Sequence, residues 1–235
     1  MRYAIYFTPE QHDPLTRLAA DWLGRDPFTG AATKPPASTV LSPAEIAFHT
    51  ASARRYGFHA TLKAPFRLAE GESQADLEAA MAEFARATAP VVIPRLVIKQ
   101  MDGFFALVPG EENPGLQRFA DDVVTSFDRF RAPLSETDIE RRNPDALSPA
   151  EFRNLYQWGY PYVFDAFRFH MTLTGRVAEN DSARVRRAVD EVFRAAIARP
   201  VTVAGLALFV EREPGAPFMV QSYYALDARR DRKTA

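Results

Sequence analysis

The chain contains one five-residue phrase twice, Phe58-His59-Ala60-Thr61-Leu62 and Phe169-His170-Met171-Thr172-Leu173. In an extended strand, successive side chains point to opposite faces, so the histidine and the threonine of each copy lie side by side on one face. The chain has four histidines, and half of them therefore occur in this repeated context. The repeat predicts two strands that each present one imidazole and one hydroxyl together. For either copy alone, a β-prone strand with a satisfied histidine is the simpler interpretation.

Two such strands facing each other would bring together groups suited to acid–base chemistry on a phosphate. Imidazole titrates near neutrality, so one of His59 and His170 can accept a proton while the other, protonated, donates one. The hydroxyls of Thr61 and Thr172 can bind non-bridging phosphate oxygens. This scheme needs neither a metal nor a cofactor. The sequence does not say which histidine is the acid and which the base.

The duplication extends beyond the phrase, because the same order of elements follows both copies. Each copy is followed by a helix-like run, then a strand that begins with proline, then a hairpin. In the first half these elements span residues 74–89, 90–96 and 96–108, and in the second half 181–199, 200–206 and 206–226. An internal repeat of this kind predicts two similar lobes that bring the motifs together. We expect one α+β domain over residues 1–235, with approximate lobes 1–112 and 113–235. Each lobe is expected to be an antiparallel sheet with helices on one side, with the active cleft between them.

The paired motifs, one in each half and each on a strand followed by a helix, resemble the 2H phosphoesterase superfamily, which includes RNA 2′-5′ ligase and cyclic phosphodiesterase enzymes. The longer stretches 54–66 and 158–175 look like a poorly characterised branch that is often encoded beside bacterial phosphonate-utilisation genes. The resemblance implies that His59 and His170 are catalytic. It implies hydrolysis of a cyclic phosphate or a 2′,3′-type phosphodiester, with a cyclic nucleotide or a phosphosugar as the small phosphorylated substrate.

Residues beside the motifs are further candidates for phosphate or nucleotide contacts. Lys63 lies two residues after Thr61 and is expected on the same strand face, and Thr174 is its counterpart in the second half. Arg55 and Tyr56 come just before the first motif. The alternatives stay open, since a strand-end charge explains Lys63 equally well and a solvated pair at a helix end explains Arg55 nearly as well.

Composition limits the classes of function. With 235 residues, a net charge of −1 and no cysteine, the chain can bury a large core but has no global positive field for long nucleic acids. The lack of cysteine excludes thiol catalysis and thiolate metal sites. No apolar run approaches the length of a bilayer span, and the N-terminus turns polar too soon for a signal peptide. We expect a cytoplasmic monomer without a membrane partner.

Several segments depart from the repeated pattern. Residues 24–42 carry turn signals and predict either a roof over the cleft or a mobile loop. Residues 132–162 predict an inserted helical segment whose aromatic residues either stack on a base or sugar or dock the insertion, and whose charged run 140–142 is a solvated helix face. A strand is expected over 162–175, and the charged end 229–233 is expected to fray.

Other functions remain open at this point. A non-catalytic binder of nucleotides or phosphosugars would keep the cleft without turnover. An RNA end-processing or ligating enzyme is a variant of the phosphodiesterase hypothesis. A metal-dependent hydrolase would use the two histidines as ligands, although neither motif has acidic partners nearby, and it would be sensitive to chelators.

Overall fold

The computed structural model describes residues 1–228, so the charged end 229–233 lies outside the described residues. Within the described part, the strands are β1 (Arg2–Phe7), β2 (Ala60–Phe66), β3 (Val91–Ile93), β4 (Leu96–Met101), β5 (Phe104–Pro109), β6 (Met171–Thr172), β7 (Val201–Val203), β8 (Gly205–Glu211) and β9 (Met219–Ala225). The α-helices are α1 (Pro14–Leu23), α2 (Pro43–Arg54), α3 (Gln74–Ala87), α4 (Pro114–Ser126), α5 (Glu136–Glu140), α6 (Pro149–Trp158) and α7 (Glu179–Phe193). Short 3-10 helices occur at Asp128–Phe130, Pro144–Ala146 and Phe164–Ala166. No described helix has the length and apolar character needed to cross a membrane.

A large antiparallel sheet with the strand order β4-β5-β6-β2-β1-β8-β9 organises the fold. The strands β3 and β7 form a separate antiparallel pair. The strands β2 and β6, which carry the repeated phrases, are neighbours at the middle of the large sheet. A single residue pair, Ala60 with Met171, joins them. The sheet therefore consists of a three-stranded and a four-stranded part that meet at the two motifs.

The mixed helix and sheet content agrees with the expected α+β class, but strands from the two chain halves share one sheet. β5 pairs with β6, and β1 pairs with β8, so each part of the sheet draws strands from both halves. The strand order has an internal symmetry when β9 is left out. Exchanging β1 with β5, β2 with β6 and β4 with β8 gives the same order, read from the opposite edge of the sheet. The division into lobes 1–112 and 113–235 stays a prediction.

The alternation of side chains along the strands separates a helix-covered face from an open face. Along β1, Ile5 and Phe7 belong to the main core beneath the helices, whereas Tyr6 joins a small cluster with Phe209 on the other face. Phe58, which belongs to the first phrase, is fully buried in the main core. A large apolar side chain buried in this way stabilises the fold by roughly 1.5–3 kcal/mol. The apolar residues of the phrases thus hold the strands while the polar ones face outward.

The strand expected over residues 162–175 is reduced to Met171–Thr172. The preceding segment contains the 3-10 helix Phe164–Ala166 instead. Its backbone is tied to the insertion rather than to the sheet, since the Asn154 side-chain amide on α6 donates to the carbonyls of Pro161 and Val163 at 3.2 and 3.3 Å. His170 consequently lies just before its strand, at the end of an irregular segment.

The segment 24–42 does not roof the cleft, because none of its residues lines the cavity that contains the motif histidines. Arg25 of this segment is only 8% exposed, and its side chain contacts the backbone of other segments. The guanidinium donates to the carbonyls of Arg54, Arg55 and Phe218 at 3.1, 3.0 and 2.9 Å. This segment therefore braces the approach to the first motif and the β8–β9 hairpin.

Candidate active site

The four polar side chains of the two motifs line one cavity of about 400 Å³ on the open face of the sheet. The pairing of Ala60 with Met171 explains this arrangement. Extending that antiparallel register by one residue in each direction sets His59 opposite Thr172 and Thr61 opposite His170. Directly opposed residues on one face of a sheet have Cβ atoms about 4.5–5.5 Å apart. Each imidazole thus has a threonine of its own motif and one of the other motif beside it.

Both histidines make the same local hydrogen bond to the backbone two residues earlier. Nδ1 of His59 lies 2.9 Å from the carbonyl oxygen of Gly57, and Nδ1 of His170 lies 2.7 Å from that of Arg168. A carbonyl oxygen can only accept, so Nδ1 carries the hydrogen in both rings and Nε2 is the free atom. The Thr61 hydroxyl lies 3.3 Å from Nε2 of His59. The neutral His59 ring therefore presents a basic nitrogen beside a hydroxyl.

Gly57 fixes the approach of the chain to the first motif. Its φ is +77°, and a Cβ added there would come 2.6 Å from Cβ of Pro27. Only glycine fits this left-handed, crowded position without a shift of the backbone. Since the Gly57 carbonyl orients His59, the glycine is part of the geometry that aims the imidazole.

The surroundings of His59 favour the neutral ring. Tyr6 stacks on it with ring centroids 3.9 Å apart, and the Phe209 ring centroid lies at 6.0 Å. Burial lowers the pKa of His59 to about 4; the Gly57 carbonyl raises that pKa and His170 lowers it, both less strongly than burial acts. The same burial raises the pKa of Tyr6, whose hydroxyl stays protonated. Near neutral pH, His59 is therefore neutral, with an unprotonated Nε2.

Lys63 does not share the face of His59 and Thr61, and the prediction that it does is wrong. Tyr6 pairs with Thr61 while Ile5 pairs with Lys63, so Leu62 is an extra residue that bulges the strand and reverses the alternation. The ammonium of Lys63 is buried and donates to the Val124 carbonyl at 3.2 Å and to Asp128 Oδ1 at 2.9 Å. Burial lowers the pKa of Lys63, and Asp128 opposes that effect. Lys63 ties β2 to the end of α4 and does not line the cavity.

Thr174 and Tyr56 both line the cavity, as expected of candidate contacts, but the Thr174 hydroxyl is already engaged. It accepts from the Phe105 amide at 2.9 Å and donates to the Gly175 carbonyl at 2.8 Å. A second lone pair of its oxygen is the most it can offer to a ligand. Thr174 therefore acts mainly by holding β5 against the second motif.

Arg55 does not line the cavity, because Glu211 holds its guanidinium. The Glu211 carboxylate is 1% exposed and binds Arg2 as well. Burial by itself raises the pKa of Glu211, but the hydrogen bonds from Arg2 and Arg55 outweigh it and the net pKa is lowered. The Glu211 carboxylate is therefore ionised, and its two ion pairs hold Arg2 and Arg55 at the edge of the site.

Some cavity residues have no motif signal in the sequence. They are Arg2, Tyr6, Phe104, Arg142, Tyr160 and Arg176. The alternation along β1 leaves open whether Tyr6 borders a cleft or belongs to a core, and here it does both. Arg142 belongs to a run whose charge indicates a solvated face, and only the folded insertion brings it to the cavity. Among residues 1–228, no group of three or more His, Cys, Asp or Glu side chains is placed to hold a metal ion.

The fold and the site define a mixed α/β protein in which two histidine–threonine strands meet at one cavity. The chain belongs to DUF1045, a family described as a protein of unknown function, whose profile matches residues 61–219. The matched region includes His170 and Thr172 and begins at Thr61.

Two curated proteins are similar to nearly the whole chain. A ribose 1,5-bisphosphate phosphokinase PhnN of Janthinobacterium sp. (strain Marseille) is 38% identical over 229 residues, covering 93% of this chain and 49% of that protein. A ribose 1,5-bisphosphate phosphokinase PhnN of Laribacter hongkongensis (strain HLHK9) is 36% identical over 218 residues, covering 93% of this chain and 50% of that protein. The chain therefore spans about half the length of these relatives.

Solved structures with related shapes are more distant. One described as the crystal structure of TT0787 of Thermus thermophilus has 18% identity and a TM-score of 0.45, covering 98% of this chain and 100% of that one. One described as the crystal structure of phosphoesterase has 14% identity and a TM-score of 0.41, covering 97% of this chain and 99% of that one. With TM-scores below 0.5, these likenesses carry no functional argument.

Proposed function

We propose that this protein is a metal-independent phosphodiesterase that hydrolyses a small cyclic phosphate or a 2′,3′-type phosphodiester. The observation that carries this proposal is the meeting of two imidazoles and two threonine hydroxyls in one cavity. In both rings Nδ1 is held by a backbone carbonyl, so Nε2 is the atom that can transfer a proton. The threonines supply neutral donors for the non-bridging oxygens of a phosphate.

In this mechanism His59 is the general base and His170 the general acid. Nε2 of His59 takes a proton from water as the water oxygen bonds to phosphorus. The bond from phosphorus to the leaving ester oxygen breaks, and His170, protonated at Nε2, gives its proton to that oxygen. The product is a phosphate monoester with a free hydroxyl, and the two histidines have exchanged protonation states. The lowered pKa of His59 keeps its Nε2 unprotonated at neutral pH, as the base role requires.

The names of the relatives favour a ribose phosphate as the substrate. They are phosphokinases named for ribose 1,5-bisphosphate, and this chain is similar to about half of each. The 2H resemblance adds the association with phosphonate metabolism. We therefore place a ribose cyclic phosphate first among the substrates and 2′,3′-cyclic nucleotides second.

We further propose that the segment from β1 to β4 and the segment from β5 to β8 arose by duplication. The support is the strand order: when β9 is left out, exchanging β1, β2 and β4 with β5, β6 and β8 gives the same order read from the opposite edge of the sheet. In such a duplicated fold the two motif strands lie beside the symmetry axis. The two histidines then approach one phosphate from opposite sides, as an in-line displacement requires.

The test is turnover of a panel of 2′,3′-cyclic nucleotides and a ribose cyclic phosphate with EDTA present. The His59→Ala, His170→Ala double variant is the control. We expect a phosphate monoester from the parent protein only. Turnover that EDTA abolishes would contradict the metal-independent mechanism and favour a metal-dependent hydrolase. Tight binding without turnover of any member would favour a non-catalytic binding protein instead.

A further inference from the structure

The cavity that holds the two histidines carries more positive charge than a phosphodiester requires. Its lining within the described chain includes Arg2, Arg142 and Arg176 but no aspartate or glutamate. A cyclic phosphodiester bears a single negative charge, for which the imidazolium and the threonines already provide partners. The whole protein has a net charge of −1, so this excess is local.

The positive charge is concentrated around Arg2 and Arg142, which both line the main cavity. One carboxylate, that of Glu211, is shared between Arg2 and Arg55, and leaves one positive charge in excess. Arg142 forms no ion pair with any described residue. Arg2 and Arg142 also line an adjoining cavity of about 190 Å³. This smaller cavity contains Arg67, Arg141 and Asp138 as well, so arginines outnumber acids there too.

Arg142 is positioned by the insertion rather than by the repeated core. Its guanidinium carbon lies 5.0 Å from the centroid of the Tyr160 ring, within the range of a cation–π contact. Tyr160 lines the main cavity beside the motif residues. The ring holds the flat guanidinium in place without neutralising it, so its donors remain available to a ligand.

We propose that Arg142 and Arg2 form a subsite for a second phosphate group of the substrate, a monoester separate from the reacting phosphodiester. A phosphate monoester carries a charge between about −1.5 and −2 at neutral pH, and arginine binds such groups with two parallel hydrogen bonds. This inference rests on the proposed phosphodiesterase function and narrows it to cyclic phosphates that bear an additional phosphate. The insertion then serves to select the substrate.

The experiment compares two substrates that differ only in this group: adenosine 2′,3′-cyclic phosphate and its 5′-phosphorylated form. Values of kcat/KM are measured for the parent and for Arg142→Gln. Arg153→Gln, which removes the same charge from exposed helix α6 and lines none of the cavities described, is the matched control. We expect the parent to prefer the 5′-phosphorylated substrate by about tenfold to a hundredfold, the loss expected for a charge-assisted hydrogen bond. Arg142→Gln should bring the ratio close to one, and Arg153→Gln should keep it.

A second measurement tests binding at the subsite independently of catalysis. Calorimetry gives the dissociation constants of the same two ligands for the double histidine variant, with and without Arg142→Gln. If the parent turns over neither substrate, the phosphodiesterase proposal fails for this pair. The subsite still stands if the 5′-phosphate tightens binding at least tenfold and Arg142→Gln removes that gain. Equal binding of both ligands, no binding of either, or an equal loss for both in Arg142→Gln overturns it.

Discussion

The ring of Tyr6 lies against the imidazole of His59, with centroids 3.9 Å apart and the two planes 20° from parallel. Tyr6 is itself 1% exposed, so it excludes water from one side of the histidine. Removing water from an imidazole disfavours its charged form, which is the main cause of the lowered pKa of His59. Tyr6, a β1 side chain outside either motif, is thus part of the burial that lowers the pKa of His59.

Replacing Tyr6 by leucine should therefore raise the pKa of His59 toward the ordinary value of about 6.5. Water would reach the ring face that the tyrosine now covers. The pKa is followed by NMR titration of the His59 ring protons. Tyr6→Phe keeps the stacked ring and should leave the pKa low. An unchanged pKa in Tyr6→Leu would show that other neighbours desolvate His59.

Single replacement of either motif histidine should reduce turnover by roughly 10²- to 10⁴-fold, since each residue transfers a proton in the proposed mechanism. His59→Ala and His170→Ala are compared with the parent on whichever cyclic phosphate the parent hydrolyses. Circular dichroism and thermal unfolding serve as controls for folding. A large loss in one variant with full activity in the other would refute the paired mechanism.

The stability of the protein should depend on pH through His59. Its pKa is about 4 in the folded protein, whereas an unfolded chain has a value near 6.5. Between about pH 4 and pH 6.5, His59 is protonated in the unfolded chain but not in the folded protein. The contribution of His59 to the free energy of unfolding is therefore complete above about pH 6.5 and is lost as the pH falls toward 4. Urea unfolding at pH 7 and pH 5 measures this change.

The matched variant for the pH experiment is His59→Gln, which cannot titrate. Its free energy of unfolding should fall less than that of the parent between pH 7 and pH 5. Parallel curves for the two proteins would mean that the folded His59 titrates like an exposed histidine.

Lys63→Met should destabilise the protein by about 1–3 kcal/mol, because it leaves the Val124 carbonyl and part of the Asp128 carboxylate without their donor. Asp128 keeps its bonds to Arg131, which limits the loss. Lys99→Met, at an exposed position of β4, is the control and should change stability by less than about 0.5 kcal/mol. Urea unfolding measures both. A rise in KM without loss of stability would return Lys63 to the role of a phosphate contact.

The sequence predicted the central part of the site because period-two alternation is a local property. Once Phe58 and Met171 are buried in the core, His59 and Thr172 must point to the other face. The helices also followed from local signals, and the predicted run 74–89 is the observed α3, Gln74–Ala87. The same reasoning failed at Lys63, since a single extra residue in the pairing with β1 reverses the alternation.

The sequence by itself determined that two His-x-Thr strands exist and which of their side chains share a face, because these features depend only on backbone geometry over a few residues. The tertiary structure alone decided that Tyr6 covers His59, that Glu211 gathers Arg2 and Arg55, and that Arg142 reaches the cavity. These contacts join residues far apart in the chain, and burial and charge at a site depend on such neighbours. The lowered pKa of His59 therefore arises only when the chain is folded.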